Sequence, residues 1–167
     1  MKRILAMWLA AASAGAATGA SALGPGEHAP DFSLASAKSN PVHLADYRGK
    51  VVYLDFWASW CAPCRKSFPW MNEIKQRFAG QGLEVLAVNV DSQRSDAEAF
   101  LAAHPAAFTV AFDDQGKTAS TYQVKGMPSS YLIDREGNVR QVHIGFRDDQ
   151  KQELEGLIRQ ALEGTSK

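Results

Sequence analysis

The sequence predicts an α/β fold, a central mixed β-sheet flanked by helices, with a β-hairpin added at its N-terminal side. Continuous apolar, β-branched and aromatic runs at 50–58 (KVVYLDFWA) and 83–90 (LEVLAVNV) have the pattern of strands covered on both faces. Helix signals follow each run. The chain closes on two further strands joined by DREGN and on a last helix with one apolar side. At 46% apolar and 22% charged over 167 residues, the composition suits one domain of this class and excludes a disordered or fibrous chain.

Residues 1–22 begin with Lys2 and Arg3, continue through an apolar stretch over 4–12 and end on Ala20, Ser21 and Ala22, the pattern of a secretory signal peptide. Its strongly apolar part is far shorter than the roughly 20 residues a spanning helix needs, so an uncleaved anchor is the weaker alternative. The expectation is a soluble domain over 23–167 in the periplasm, an oxidising compartment where disulfides persist. Eighteen basic and eighteen acidic side chains balance, so no field concentrates nucleic acid over the surface.

Within the domain, DFSL (31–34) and VHL (42–44) alternate in the manner of a hairpin of edge strands. The run at 50–58 is the central strand. After it, Phe68, Met71, Ile74 and Phe78 recur at steps of three and four, which predicts a helix ended by Gly80 and Gly82 and bent at Pro69. A second buried strand follows at 83–90. Ser95 and Glu98 have the spacing of a capping box opening a helix that runs to His104, before Pro105. A strand at 108–112, a short helix over 118–122, strands at 129–133 and 138–145, and a helix carrying Leu154, Leu157, Ile158, Ala161 and Leu162 complete the chain.

The only two cysteines, Cys61 and Cys64, stand in WASWCAPCRKSF, where the central strand hands over to a helix. As a structural staple the pair is weak, because so small a loop gains about 2 kcal/mol of chain entropy against nearly 5 for a loop of about 100 residues. A structural zinc site wants four ligands, and His28, His43, His104 and His143 show no tight pairing near the cysteines. Two thiolates alone still suit Cu(I), which keeps a copper carrier as an alternative. A redox pair needs one ionisable, exposed attacking thiol and a second to resolve the mixed disulfide. Cys61 at a helix N-terminus gains thiolate character from the dipole, and Cys64, one turn in, is the resolving partner.

VVYLDFWASWCAPC resembles the active-site strand and turn of thioredoxin-fold proteins almost residue for residue. Pro69, the stretch GMPSSYLID, the EGN turn and the last helix fit the same likeness. The leading APDFSL…PVHLADYRGK and the extra helix after AVNVD resemble the TlpA/ResA-like branch of exported thiol-disulfide reductases, related to the alkyl hydroperoxide reductase type. The resemblance implies a cis Met127-Pro128 bond beside Cys61, and a buried Asp55 that takes the proton of Cys64. It makes Cys61, Cys64, Asp55 and Pro128 the catalytic set, with Trp60, Ala62, Pro63 and Met127 in contact with substrate and Trp57 packed behind them. No cofactor or metal is expected.

The implied activity is reduction of exposed disulfides in periplasmic proteins by a monomer that draws electrons from a membrane carrier of the DsbD or CcdA kind. Two departures from the family pattern stand out. Ser67 occupies the position, three residues after Cys64, where reductases of cytochrome c maturation have an acid. Ala87 stands where thioredoxin has the lysine that pairs with the buried aspartate. A peroxiredoxin-like peroxidase is the second alternative, although FWASWC lacks the proline that usually precedes a peroxidatic cysteine.

Overall fold

The computed structural model describes residues 23–37 and 40–164, and the signal segment expected over 1–22 lies outside them. The chain runs β1 (Ser33–Ser36), β2 (Val42–His43), β3 (Val51–Trp57), α1 (Ala62–Phe78), β4 (Leu83–Asn89), α2 (Arg94–Ala103), β5 (Thr109–Phe112), α3 (Lys117–Thr121), β6 (Ser129–Ile133), β7 (Val139–Ile144) and α4 (Lys151–Glu163). The strands form one mixed sheet in the order β2-β1-β5-β4-β3-β6-β7. β3, β4 and β5 are parallel, and the remaining pairs are antiparallel. The expected hairpin is present as β1 and β2, shifted two residues along the chain at its first strand, and it attaches to the sheet through β5.

β3 is buried at every position because both faces of the sheet are covered. Val51, Tyr53 and Trp57 face a core layer with α1, α2 and α4, while Val52, Leu54 and Phe56 face a second layer with Ala29, Leu44 and Tyr122. A strand with no solvent face reads as an unbroken apolar run, which is why it stands out in the sequence. α1 continues through Pro69, whose missing N–H leaves the carbonyl of Arg65 without its bond from that position.

The capping box expected at Ser95 and Glu98 does not form. The helix starts two residues earlier, at Arg94, with Gln93 in place of Ser95 as an extended N-cap whose side chain makes no capping bond. Arg94 explains the shift, for its guanidinium donates to the carbonyl of Ser36 at 2.9 Å and lies 3.9 Å over the ring of Phe112. These contacts tie the first turn of α2 to β1 and β5, and Arg94 also pairs with Glu98 at 3.3 Å.

The core between α1 and the sheet is aromatic. Phe68 meets Trp57 at 4.8 Å, Phe100 at 4.9 Å and Phe108 at 5.3 Å between ring centroids. Phe68→Ala therefore removes a fully enclosed ring from the joint of α1, α2 and β3. It should lower unfolding free energy by about 3–5 kcal/mol, read as a lower urea midpoint at unchanged slope.

Candidate active site

The fixed end of β3 sets the position of the cysteines. β3 pairs with β4 and β6 along its length, so the turn over 58–61 leaves from an anchored edge. Trp57, the last residue of the strand, is buried against Phe68 and Phe100. Cys61 then serves as the N-cap of α1 in an extended conformation, with φ −81° and ψ 104°. Its Sγ accepts the N–H of Cys64 at 3.2 Å, a donor that also reaches the Cys61 carbonyl at 3.2 Å. Ala62 and Pro63 form the start of the helix and are exposed; a proline is tolerated in the first turn because that N–H has no intrahelical partner to lose. Cys61 and Cys64 are joined as a disulfide with Sγ atoms 2.03 Å apart.

One expectation needs correction. Cys61 was to be an exposed sulfur, yet it keeps only 3% of its surface and Cys64 keeps none. The side chain turns inward as N-cap and disulfide partner, so its sulfur joins the apolar cluster of Trp57 and Phe68. The exposed group is its neighbour Trp60, at 68%.

Asp55 sits within the same strand, opposite Ala87 of β4 and Ser130 of β6. The sequence placed Ala87 where a pairing lysine would be, and the register puts that alanine beside the carboxylate. Asp55 is 1% exposed, and its Oδ2 has no hydrogen-bond partner among the described residues. Burial pushes its carboxyl well above the ordinary carboxylate range. Tyr53, two residues earlier on the same face, is also held neutral, first by burial and then by the charge of Asp55.

The Met127-Pro128 bond is cis, as the likeness implied. Pro128 is buried and Met127 half-buried. Ser129, which follows, pairs with Phe56, so the loop lies at the end of the sheet from which 58–61 departs. Ser67 is buried and donates from Oγ to the Cys64 carbonyl at 3.1 Å, capping local backbone where an acid would have introduced charge.

A brace that the sequence did not reveal holds the turn. The carboxylate of Asp91 accepts the Ser59 N–H at 2.8 Å, the Ser59 hydroxyl at 3.0 Å and the Asn89 amide at 2.7 Å. Asn89 returns the contact by accepting the Asp91 N–H at 3.0 Å. Polar residues closing the apolar run LEVLAVNV were the available signal, and only tertiary pairing of Trp57 with Asn89 brings them to Ser59. His104 stacks on Phe100 with centroids 4.6 Å apart and His143 lies in β7, so neither joins the cysteines; among the described residues no three His, Cys, Asp or Glu side chains form a metal-ligand set.

Residues 25–142 match the model of the AhpC/TSA family. The thiol-disulfide oxidoreductase ResA of Geobacillus kaustophilus (strain HTA426) is 38% identical over 138 residues, covering 81% of this chain and 79% of its own. ResA of Geobacillus thermodenitrificans (strain NG80-2) is 38% identical over the same length and shares. Among solved structures, a Chlorobium tepidum protein described as a thiol:disulfide interchange protein DsbE superposes with a TM-score of 0.82 at 54% identity, covering 84% of this chain and 99% of that one. With a disulfide-forming Cys61-Cys64 pair at the head of α1 and these relatives, the chain belongs to the AhpC/TSA family of the thioredoxin superfamily, as a ResA-like thiol-disulfide oxidoreductase.

Proposed function

We propose that the chain, after loss of residues 1–22, works in the periplasm as a monomeric domain over 23–167 that reduces disulfides of exported proteins. The observation that carries this reading is the position of Cys61, whose sulfur caps α1 and accepts the Cys64 N–H. A helix N-terminus and a directed N–H both favour the thiolate over the thiol. In the reduced protein the Cys61 thiolate attacks a client disulfide, forming a mixed disulfide and expelling one client thiolate. Cys64 gives its proton to Asp55 and attacks the Cys61 sulfur, which expels the second client sulfur as a thiolate that takes its proton from water, and closes the disulfide seen here. Two electrons pass to the client, and a membrane carrier of the DsbD or CcdA kind restores them.

Trp60, Ala62, Pro63 and Met127 supply the client-facing surface in this reading, with the Met127-Pro128 loop receiving client backbone. Three of the four are exposed and Met127 is half-buried. The uncharged Ser67 favours general clients over apocytochrome c. The disulfide between positions three apart favours protein disulfide exchange over peroxidase chemistry, and peroxide consumption by the purified protein is the contrary result to look for.

Cys61→Ser should abolish reduction of insulin disulfides, while Cys64→Ser should accumulate mixed disulfides visible on non-reducing gels. Full activity of Cys61→Ser sinks the mechanism. A reduction potential for the couple nearer about −270 than −120 mV supports a reductase, and the opposite an oxidant.

Asp55 also makes stability depend on pH. Its folded pKa is raised, so the folded state binds the proton more tightly than the unfolded chain does. The stabilisation it brings is complete below the ordinary carboxylate pKa and is lost as pH rises through the raised one, at up to about 1.4 kcal/mol per pH unit. Asp55→Asn should therefore melt at a higher temperature than the parent at pH 8, with the difference shrinking towards pH 4. Equal melting temperatures across that range would falsify the account of Asp55.

A further inference from the structure

A polar row crosses three strands on the α4 side of the sheet. Asp55 on β3 stands directly opposite Ser130 on β6, and Ser130 directly opposite His143 on β7. Direct partners in an antiparallel ladder hold their Cβ atoms about 4.5–5.5 Å apart on one face, so the three side chains form a continuous line. Tyr53 lies on the same face and lines one cavity with Ser130 and His143. Tyr53 and Trp57, which flank Asp55 along that face, pack in one cluster with Cys61 and Cys64.

Both ends of this row carry an unmet polar atom. Asp55 Oδ2 and His143 Nε2 are buried, and neither has a hydrogen-bond partner among the described residues. Beside Ser130 and His143 lies a cavity of about 10 Å³, at the lower limit for one water, walled by Tyr53, Ser130 and His143 against Leu154, Leu157 and Ile158 of α4. Tyr53 and His143 are the titratable groups on its wall, since β6 and α4 contribute only uncharged side chains. His143 itself is part-exposed, while its Nε2 is buried. The sulfur side offers no comparable path to water, because Cys64 is fully buried and Cys61 nearly so.

We propose that His143 is the proton outlet of the site, the proton that Asp55 takes from Cys64 passing along the Ser130 hydroxyl to His143 and from there to solvent beside α4. The inference rests on Asp55 acting as the base for Cys64. Side-chain rotation brings Ser130 Oγ within reach of Asp55 Oδ2 to take its proton, and Ser130 releases its own, through a water held in the cavity, towards His143 Nε2. The imidazolium then loses a proton from Nδ1 to water, one proton leaves per turnover, and rotation of the Ser130 hydroxyl and tautomer exchange of the imidazole through water reset the row. Imidazole is the side chain suited to this exchange near neutral pH.

Single-turnover reduction of a peptide disulfide by the reduced full chain at pH 7, in water and in deuterium oxide, tests it. His143→Gln keeps the volume but cannot carry the proton, and His143→Ala leaves room for added imidazole. Both should slow release of the second client thiol about tenfold and enlarge its solvent isotope effect. The attack by Cys61, followed in the Cys64→Ser background, should not change. Free imidazole should restore the rate of His143→Ala and leave His143→Gln slow. Slow resolution in Asp55→Asn with parental rates and isotope effects in both His143 variants overturns the outlet alone. Parental resolution in all three variants overturns it together with the role of Asp55, and slowing of His143→Ala without imidazole rescue reduces His143 to a packing residue and also overturns the proposal.

Discussion

A strand covered on both faces admits a carboxylate only against a desolvation penalty of several kcal/mol, and Asp55 is where β3 accepts it. Residues on either side of it in β3 are apolar or aromatic, which makes the strand a rigid centre for the sheet. The unfavourable placement of one acid is thus inseparable from the favourable placement of six neighbours. Burial alone raises its pKa well above the ordinary carboxylate range, so the carboxyl holds a proton that a surface acid would release.

Rigidity in the turn that follows comes from a different source. Residues 58–61 contain no long apolar side chain except the exposed Trp60, so packing cannot fix them. Hydrogen bonds do so instead. Asp91 binds Ser59 at two atoms from the end of β4, and the Cys64 N–H binds Cys61 at two atoms from the start of α1. The turn is held from the strand side and from the helix side, and the sulfur pair lies between the two anchors. Inward anchoring also explains why Cys61 keeps so little surface while Trp60 projects from the protein.

Much of this was legible in the sequence where a local pattern carries the information. β3 and β4 announce themselves as apolar runs, the cysteines by spacing, and Asp55 by its place in the stretch that resembles the thioredoxin active-site strand. Signals failed where a local motif competed with a tertiary contact. Ser95 and Glu98 have capping-box spacing, but Arg94 reaches Ser36 and Phe112 and draws the helix back by two residues. Asp91, Ser130 and His143 were invisible for a related reason. Their importance lies in cross-strand register, a relation between segments up to 88 residues apart, counted from Asp55 to His143, that no short window contains.

The absence of a charged neighbour beside Asp55 has a consequence for how the site exchanges protons. With Ala87 opposite on β4 and Ser67 near Cys64 on α1, neither flank supplies a cation to stabilise the carboxylate or a second acid to share its proton. Burial favours the protonated form of Asp55, so the carboxyl must shed its proton before it can take one from Cys64, and catalysis depends on how fast that proton leaves. Polar atoms next to Asp55 on the α4 face belong to Ser130 and Tyr53, hydroxyls that can pass a proton but not keep one. The β6–β7 edge therefore takes on a task that a lysine on β4 would otherwise influence, and the sulfur chemistry at one end of the sheet is coupled to an imidazole on its outermost strand.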